Sequence, residues 1–351
     1  MKTPTMTDVA KKAGVSHATV TRSINGRAGV SIATEDRVRQ AIADLQYLAP
    51  PSHQRPGRSV KPQNPDACKH IALVTFDQAL SEHAAFVASI YEGARRAAKE
   101  LNIAVSLISL DQFDTLPEWV RPGNLDGLLL HGLHSRAHLT RSAHKIPSLW
   151  LTTHEEGGIN AVLPGNDTAG QIAAQYLIDR NHKHIAAISI DADNPSYQTR
   201  IDAFAKTARD QNIKITIRVP RKAKAKANGD PPENPAQAMR APIRTLAKLK
   251  KSNRPTGLFL PSDYMTALAH AACHAEGLNP AESFDFVSCD NEQAFLTGLY
   301  PRPATIDLGT ETRGRLAVQL LLDRIQNPLL DRKATLTLDP VLVPPPESSG
   351  M

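Results

Sequence analysis

Residues 7–25 read TDVAKKAGVSHATVTRSIN and residues 30–47 read VSIATEDRVRQAIADLQY. The spacing of apolar and turn-forming residues in these two runs decides how the N-terminus folds. Thr5 suits the N-cap of a short helix ending at Ala13, with Val9, Ala10 and Ala13 on one face. Gly14 then accepts the positive φ of a tight turn. Ser16 suits the cap of a second helix running to Asn25. Val20 and Ile24 lie four apart and face inward, leaving His17, Thr21, Arg22 and Asn25 outside. A third helix over 34–45 carries Val38, Ile42 and Leu45 as its apolar stripe. Three short helices with a glycine turn between the first two form the helix-turn-helix layout.

Charge points the same way. The chain carries 41 Lys and Arg against 35 Asp and Glu, a net +6. Residues 1–65 hold ten of the bases and four of the acids, so the remaining chain is neutral and all the excess lies in the first sixth. A polyanion meets that segment, with a solvated basic surface as the bland alternative. The three cysteines, Cys68, Cys273 and Cys289, are far apart and fit reduced thiols. No run is apolar enough to cross a bilayer and the N-terminus has no apolar leader core, so the expected location is the cytoplasm. No nucleophile motif, Walker loop or GxGxxG occurs; neither an enzyme nor a cofactor is expected. His270, Cys273 and His274 share a helix face, but among 13 histidines such spacing arises by chance and no metal site is expected.

Behind the head, apolar runs alternate with helical stretches. HIALVTF (70–76), IAVSLIS (103–109), DGLLLHG (126–132), PSLWLT (147–152) and INAVL (159–163) form a first series of strands. HIAAISI (184–190), IKITIRV (213–219), TGLFLP (256–261) and FDFVSC (284–289) form a second. Helices are expected over 83–101, 167–180, 198–211, 263–276 and 310–326. Alternation of this kind implies two doubly wound parallel-sheet subdomains with a cleft between them. Residues 220–242 read as an inserted basic, Pro-rich loop. Asp77 and Asp263 follow strands, where ligands collect in such folds, and serve equally as helix N-caps.

The two N-terminal runs resemble the lactose-repressor (LacI/GalR) family of bacterial transcription regulators. The likeness continues through LIDRNHKHIAAIS, PSDYMTALAHA, VSCDNE and PRPATIDLGTETRGRLAVQLLL. It implies a periplasmic-binding-protein-like sensor behind an all-α head. It places His17, Ala18 and Arg22 against base edges, and Thr5, Ser16, Thr19, Thr21 and Asn25 near phosphates. It also places Arg200 and Asp290 in the ligand cleft. The domain pattern it implies is a head over 1–48, a hinge over 49–68, a sensor over 69–343 and a tail over 344–351. The sensor would divide into 69–163 with 291–326, and 164–290 with 327–343. Family hinges carry a helix with a minor-groove leucine; here Pro56 stands at that leucine's place, so a phosphate-tracking segment with Arg55 and Arg58 competes with a Pro-rich tether. Ala203, Ser262 and Ser288-Cys289 also depart from the family's usual residues. The implied function is a homodimer on a two-fold operator in double-stranded DNA, with affinity set by a small carbohydrate. The alternatives are a regulator whose sensor no longer binds ligand, or a solute-binding protein.

Overall fold

The structure is a computed structural model that describes residues 4–24, 31–45, 69–76, 80–110, 116–132, 146–152, 160–219, 234–327 and 333–346. Asn25, Arg55, Arg58 and Asp77, and with them the whole hinge and its Pro56, lie outside the described residues. The chain divides into two compact units, Met1–Pro65 and Asp66–Met351.

The first unit holds α1 (Met6–Ala13), α2 (His17–Ile24) and α3 (Ile32–Asp44). Thr5 caps α1 in a capping box: its hydroxyl receives the Asp8 amide at 3.3 Å, and the Asp8 carboxylate receives the Thr5 amide at 2.8 Å. Gly14 ends the helix with φ +61°, a left-handed conformation that costs glycine nothing. Val9, Ala10, Ala13, Val20, Val38 and Ala41 bury one small core. Lys12 of α1 pairs with Asp44 of α3 at 3.0 Å, which lowers the Asp44 pKa.

The second unit contains two six-stranded sheets. The first runs β2 (Ala104–Leu110), β1 (His70–Phe76), β3 (Gly127–Gly132), β4 (Ser148–Trp150), β5 (Ala161–Pro164) and β11 (Thr335–Leu338). The second repeats that order with β7 (Lys214–Arg218), β6 (His184–Ile188), β8 (Gly257–Phe259), β9 (Asp285–Cys289), β10 (Ala304–Asp307) and β12 (Val341–Val343). All pairings are parallel except the antiparallel β10–β12, in which Thr305 faces Val343. The helices are α4 (Leu80–Glu100), α5 (Asn166–Asp179), α6 (Pro195–Asp210), α7 (Pro235–Ala247), α8 (Asp263–Ala275), the single turns α9 (Pro280–Ser283) and α10 (Gln293–Leu296), and α11 (Thr310–Gln326). Helices α4 and α11 pack together on the first sheet, where Ile90, Ala94, Val318 and Leu321 meet Ile71, Leu73 and Leu129. In the second subdomain, Phe204 of α6 stacks on Phe259 of β8 at 4.9 Å, both fully buried. Each such ring contributes about 1.5–3 kcal/mol of burial.

Two sequence expectations need correction. The chain was expected to cross between subdomains near 163, 290 and 327. The first crossing follows β5, but β10 still belongs to the second sheet, so the second crossing falls at 308–309, and the third falls at 339–340 between β11 and β12. The three late strands are only three or four residues long, and β10 and β11 mix Thr and Asp with aliphatics, so no long apolar run announced them. The expected loop over 220–242 is also shorter. Residues 235–247 form α7, with Pro235 in its first turn, Asn234 as cap and Met239, Ile243 and Leu246 buried. Pro242 interrupts one backbone bond of that helix, and three buried apolar side chains offset the loss. Residues 220–233 lie outside the described residues.

One close approach sets up the site. A Cβ added to Gly170 of α5 would stand 2.1 Å from the Arg200 carbonyl oxygen of α6. Only glycine lets these two helices come together at the turn that carries Arg200.

Candidate functional site

In the head, α2 presents His17, Ala18 and Arg22 to solvent on one face. Among the described residues no hydrogen bond or ion pair engages the Arg22 guanidinium. The hydroxyl groups around it are committed locally. Ser16 Oγ receives the Thr19 amide at 3.1 Å and lies 2.9 Å from Thr19 Oγ1, which caps α2. Thr21 is half-buried and donates to the His17 carbonyl at 2.9 Å. Thr5 donates to Asp8 at 2.6 Å. The cap residues therefore hold the helix ends whose amides suit phosphate oxygens, while the long donors of His17 and Arg22 project beyond them.

In the second unit, a narrow cleft opens between the two subdomains. Phe86 of α4, Leu151 and Thr152 after β4, and Arg313 of α11 form one wall. Tyr197 and Arg200 of α6, Ser262 and Tyr264 beside β8, and Asp290 and Glu292 after β9 form the other. The loops after β4, β8 and β9 supply five of these ten residues and Tyr264 lies in the first turn of α8, so the cleft opens at carboxyl ends of strands, where open α/β sheets bind ligands.

Arg200 and Asp290, expected together, do meet: Nη1 lies 3.1 Å from Oδ1, and both side chains are almost buried, at 4% and 10% exposure. Arg200 also donates through Nε to Asn166 at 2.9 Å and through Nη1 to the Pro261 carbonyl. Burial is the strongest influence and works against its charge, but Asp290, Cys289 and Tyr197 together outweigh it and the Arg200 pKa is raised. Asp290 has φ +105° and Asn291 φ +57°, left-handed backbone at non-glycine residues of the kind that concentrates at functional sites.

Asp263 behaves differently from either expectation. Its side chain is fully buried behind the wall, not on it, and the helix cap is its neighbour Ser262, which receives the Met265 amide at 3.2 Å. Asp263 instead ties the back of the site together. It accepts from the Ser288 and Thr305 hydroxyls and, at 2.7 Å, from the Glu292 amide. Burial, and then the charge of Asp290, push its pKa up to about 7. A strand-end carboxylate can face the cleft or the core, and sequence position does not distinguish them.

The sequence reading passed over Phe86, Tyr264, Glu292 and Arg313. Only Arg313 left a signal: it occupies the buried stripe of α11 with Ala317 and Leu321, where an apolar side chain is the norm. Burial, and then the charges of Asp290 and Asp263, raise Glu292 to about 8. Its folded-state pKa thus lies above the ordinary glutamate value of 4.5, and the folded protein holds the proton more tightly. The associated stability is complete below about pH 4.5 and is lost as pH rises through about 8; Asp263 adds a loss with the same sign. Glu292→Gln is expected to flatten this decline, read as the urea midpoint of the ligand-free protein on either side of the window. An unchanged decline would remove Glu292 as its source.

Comparison with known proteins follows the same division. Residues 5–49 match the family described as bacterial regulatory proteins, lacI family. Residues 72–220 match periplasmic binding proteins and sugar binding domain of LacI family, and residues 174–344 match a periplasmic binding protein-like domain. The HTH-type transcriptional repressor PurR of Proteus mirabilis (strain HI4320) is 28% identical, over 97% of this chain and 95% of that protein. PurR of Pasteurella multocida (strain Pm70) is 26% identical over 97% of each. Among solved structures, the complex of the transcriptional regulator CelR with cellobiose superposes with a TM-score of 0.62 at 23% identity, covering 97% of this chain and 98% of that one. The lac repressor dimer bound to operator and the anti-inducer ONPF does so at 0.62 and 19%, covering 98% of each. Among the described residues no helix is long and apolar enough to cross a membrane. An exposed reading helix in a basic head, a doubly wound second unit with its cleft at the strand ends, and matches spanning both units together make this chain a member of the LacI family, a DNA-binding transcriptional regulator with a ligand-binding domain.

Proposed function

We propose that this regulator acts as a cytoplasmic homodimer on a two-fold operator, with a small carbohydrate in the cleft setting its affinity for DNA. His17, Ala18 and Arg22 read bases: Arg22 pairs with a guanine edge, His17 donates or accepts, and Ala18 touches a thymine methyl. Thr5, Ser16 and Thr19 steady the helix ends that contact phosphates, and Asn25, Arg55 and Arg58 extend the phosphate contacts. One short helix spans few base pairs, which makes a paired arrangement the economical way to gain specificity. The observation that carries the sensing role is the buried Arg200–Asp290 pair on the cleft wall. Such a pair offers fixed donors and acceptors to several hydroxyl groups at once. The lac repressor and CelR structures bind DNA and a sugar in the same fold, which supports this reading by likeness.

Operator selection from random duplexes, repeated with a carbohydrate library present, tests it. The expected result is a selected site with two inverted half-sites whose retention changes with one class of sugar. A site without an inverted repeat would reject the dimer. Retention indifferent to every carbohydrate would leave a regulator whose cleft takes something else or nothing.

A further inference from the structure

Arg313 is used by nothing described so far. Its side chain is 1% exposed, yet it lines the cleft. One face of the guanidinium lies over the Phe86 ring at 5.2 Å, and Nη1 reaches the Leu151 carbonyl only at 3.4 Å. Among the described residues, Nε and Nη2 have no hydrogen-bond partner. Those two nitrogens form a single edge of the guanidinium, a pair of parallel donors that grips two oxygens of a carboxylate or phosphate side-on. A buried charge with that edge unmet is costly, and a core position on α11 would take an aliphatic residue at no such cost.

The charges around it favour an anion. Arg200 faces the same cleft, and its own counter-ion Asp290 is already engaged with it. Glu292, held up to about 8, keeps its proton at neutral pH. Burial, and then the Arg200 charge, press Arg313 down to about 9, a penalty that a bound anion would relieve. Resting on the reading that this cleft binds the effector, we infer that the effector carries an acidic group, a carboxylate or phosphate on a small polyhydroxylated body, and that the Nε–Nη2 edge of Arg313 receives it.

Thermal-shift titration of the full-length protein tests this with matched probes: ribose against ribose 5-phosphate, glucose against glucose 6-phosphate and glucuronate, and inorganic phosphate alone. An acidic member should bind about tenfold or more tightly than its neutral parent, the worth of a charge-assisted pair. R313M should erase that margin and leave the weaker affinity of the parent. Ligand-free R313M should melt no lower than the unsubstituted protein, because the substitution removes an unpaired buried charge. The phosphate and glucuronate arms decide which acid is read. A neutral sugar that binds as tightly as its acid, or a margin that survives R313M, overturns the inference while the sensing role stands. A marked fall in the melting temperature of ligand-free R313M also overturns it, by making Arg313 a structural cation. If no probe binds, acidic or neutral, the carbohydrate reading fails with it.

Discussion

Replacing Arg200 by alanine is expected to destabilise the second unit by about 3–5 kcal/mol, the usual loss when one partner of a buried ion pair is removed. The side chain is 4% exposed and serves three acceptors from three separate parts of the chain: Asn166 on α5, the Pro261 carbonyl after β8, and Asp290 after β9. Alanine leaves the Asp290 carboxylate in a nearly buried place with its charge unanswered by Arg200. A domain of this size loses roughly 2–4 °C per kcal/mol, so the melting temperature should fall by about 6–20 °C. At a temperature where the variant stays folded, ligand titration should be flat while ligand-free operator binding persists, since the head has its own core. Arg200→Lys keeps the charge but loses the fork, and should recover part of the stability without restoring normal ligand affinity. A wild-type melting curve for Arg200→Ala would show that the pair contributes nothing, and a wild-type titration would remove Arg200 from the ligand site.

Arg22→Ala should cost about 1–3 kcal/mol at each half-site, the worth of a bidentate base contact. On a two-fold operator both heads lose it, so the total is about 2–6 kcal/mol, or roughly 30-fold to 20,000-fold in affinity. The loss should be specific: selection with the variant should relax one base position per half-site and leave the rest. Arg22 is suited to this because it is exposed on α2 beside His17 and Ala18, with no partner among the described residues to give up first. Arg39 on α3 is a contrasting control. It is highly exposed and lies 3.7 Å from Asp36, and Arg39→Ala should change affinity by under about 1 kcal/mol. Anisotropy titration of the selected duplex and its single-base variants measures both. An Arg22→Ala protein with an unchanged base preference would pass the reading role to His17.

The head was legible because local rules suffice there. Thr5 as cap, Gly14 as turn, Ser16 as second cap and the stripe through Val9, Val20 and Val38 all act within a few residues of themselves. Nine strands were legible for a related reason: a buried parallel strand is an almost unbroken aliphatic run, and HIALVTF and HIAAI need no partner to be recognised. The edge strands β11 and β12, and β10 beside β12, were not legible, since short mixed runs such as TLTL and ATID become strands only when a neighbouring strand offers its backbone. Helix α7 was hidden by Pro235 and Pro242, and the packing of Met239, Ile243 and Leu246 overrides both.

By itself, then, the sequence determined a basic three-helix head, two alternating strand–helix series, and the motif that put Arg200 and Asp290 forward. The tertiary structure decided what each charge is for. Arg200 and Asp290 are 90 residues apart, and Arg313 finds Leu151 across 162 residues. Whether a buried charge is paired, as Asp290 is, turned into the core, as Asp263 is, or left with an open edge, as Arg313 is, depends on which strand ends the fold brings together. Local sequence sets backbone preferences over a few residues, whereas desolvation and ion pairing are set by neighbours that only the folded chain supplies.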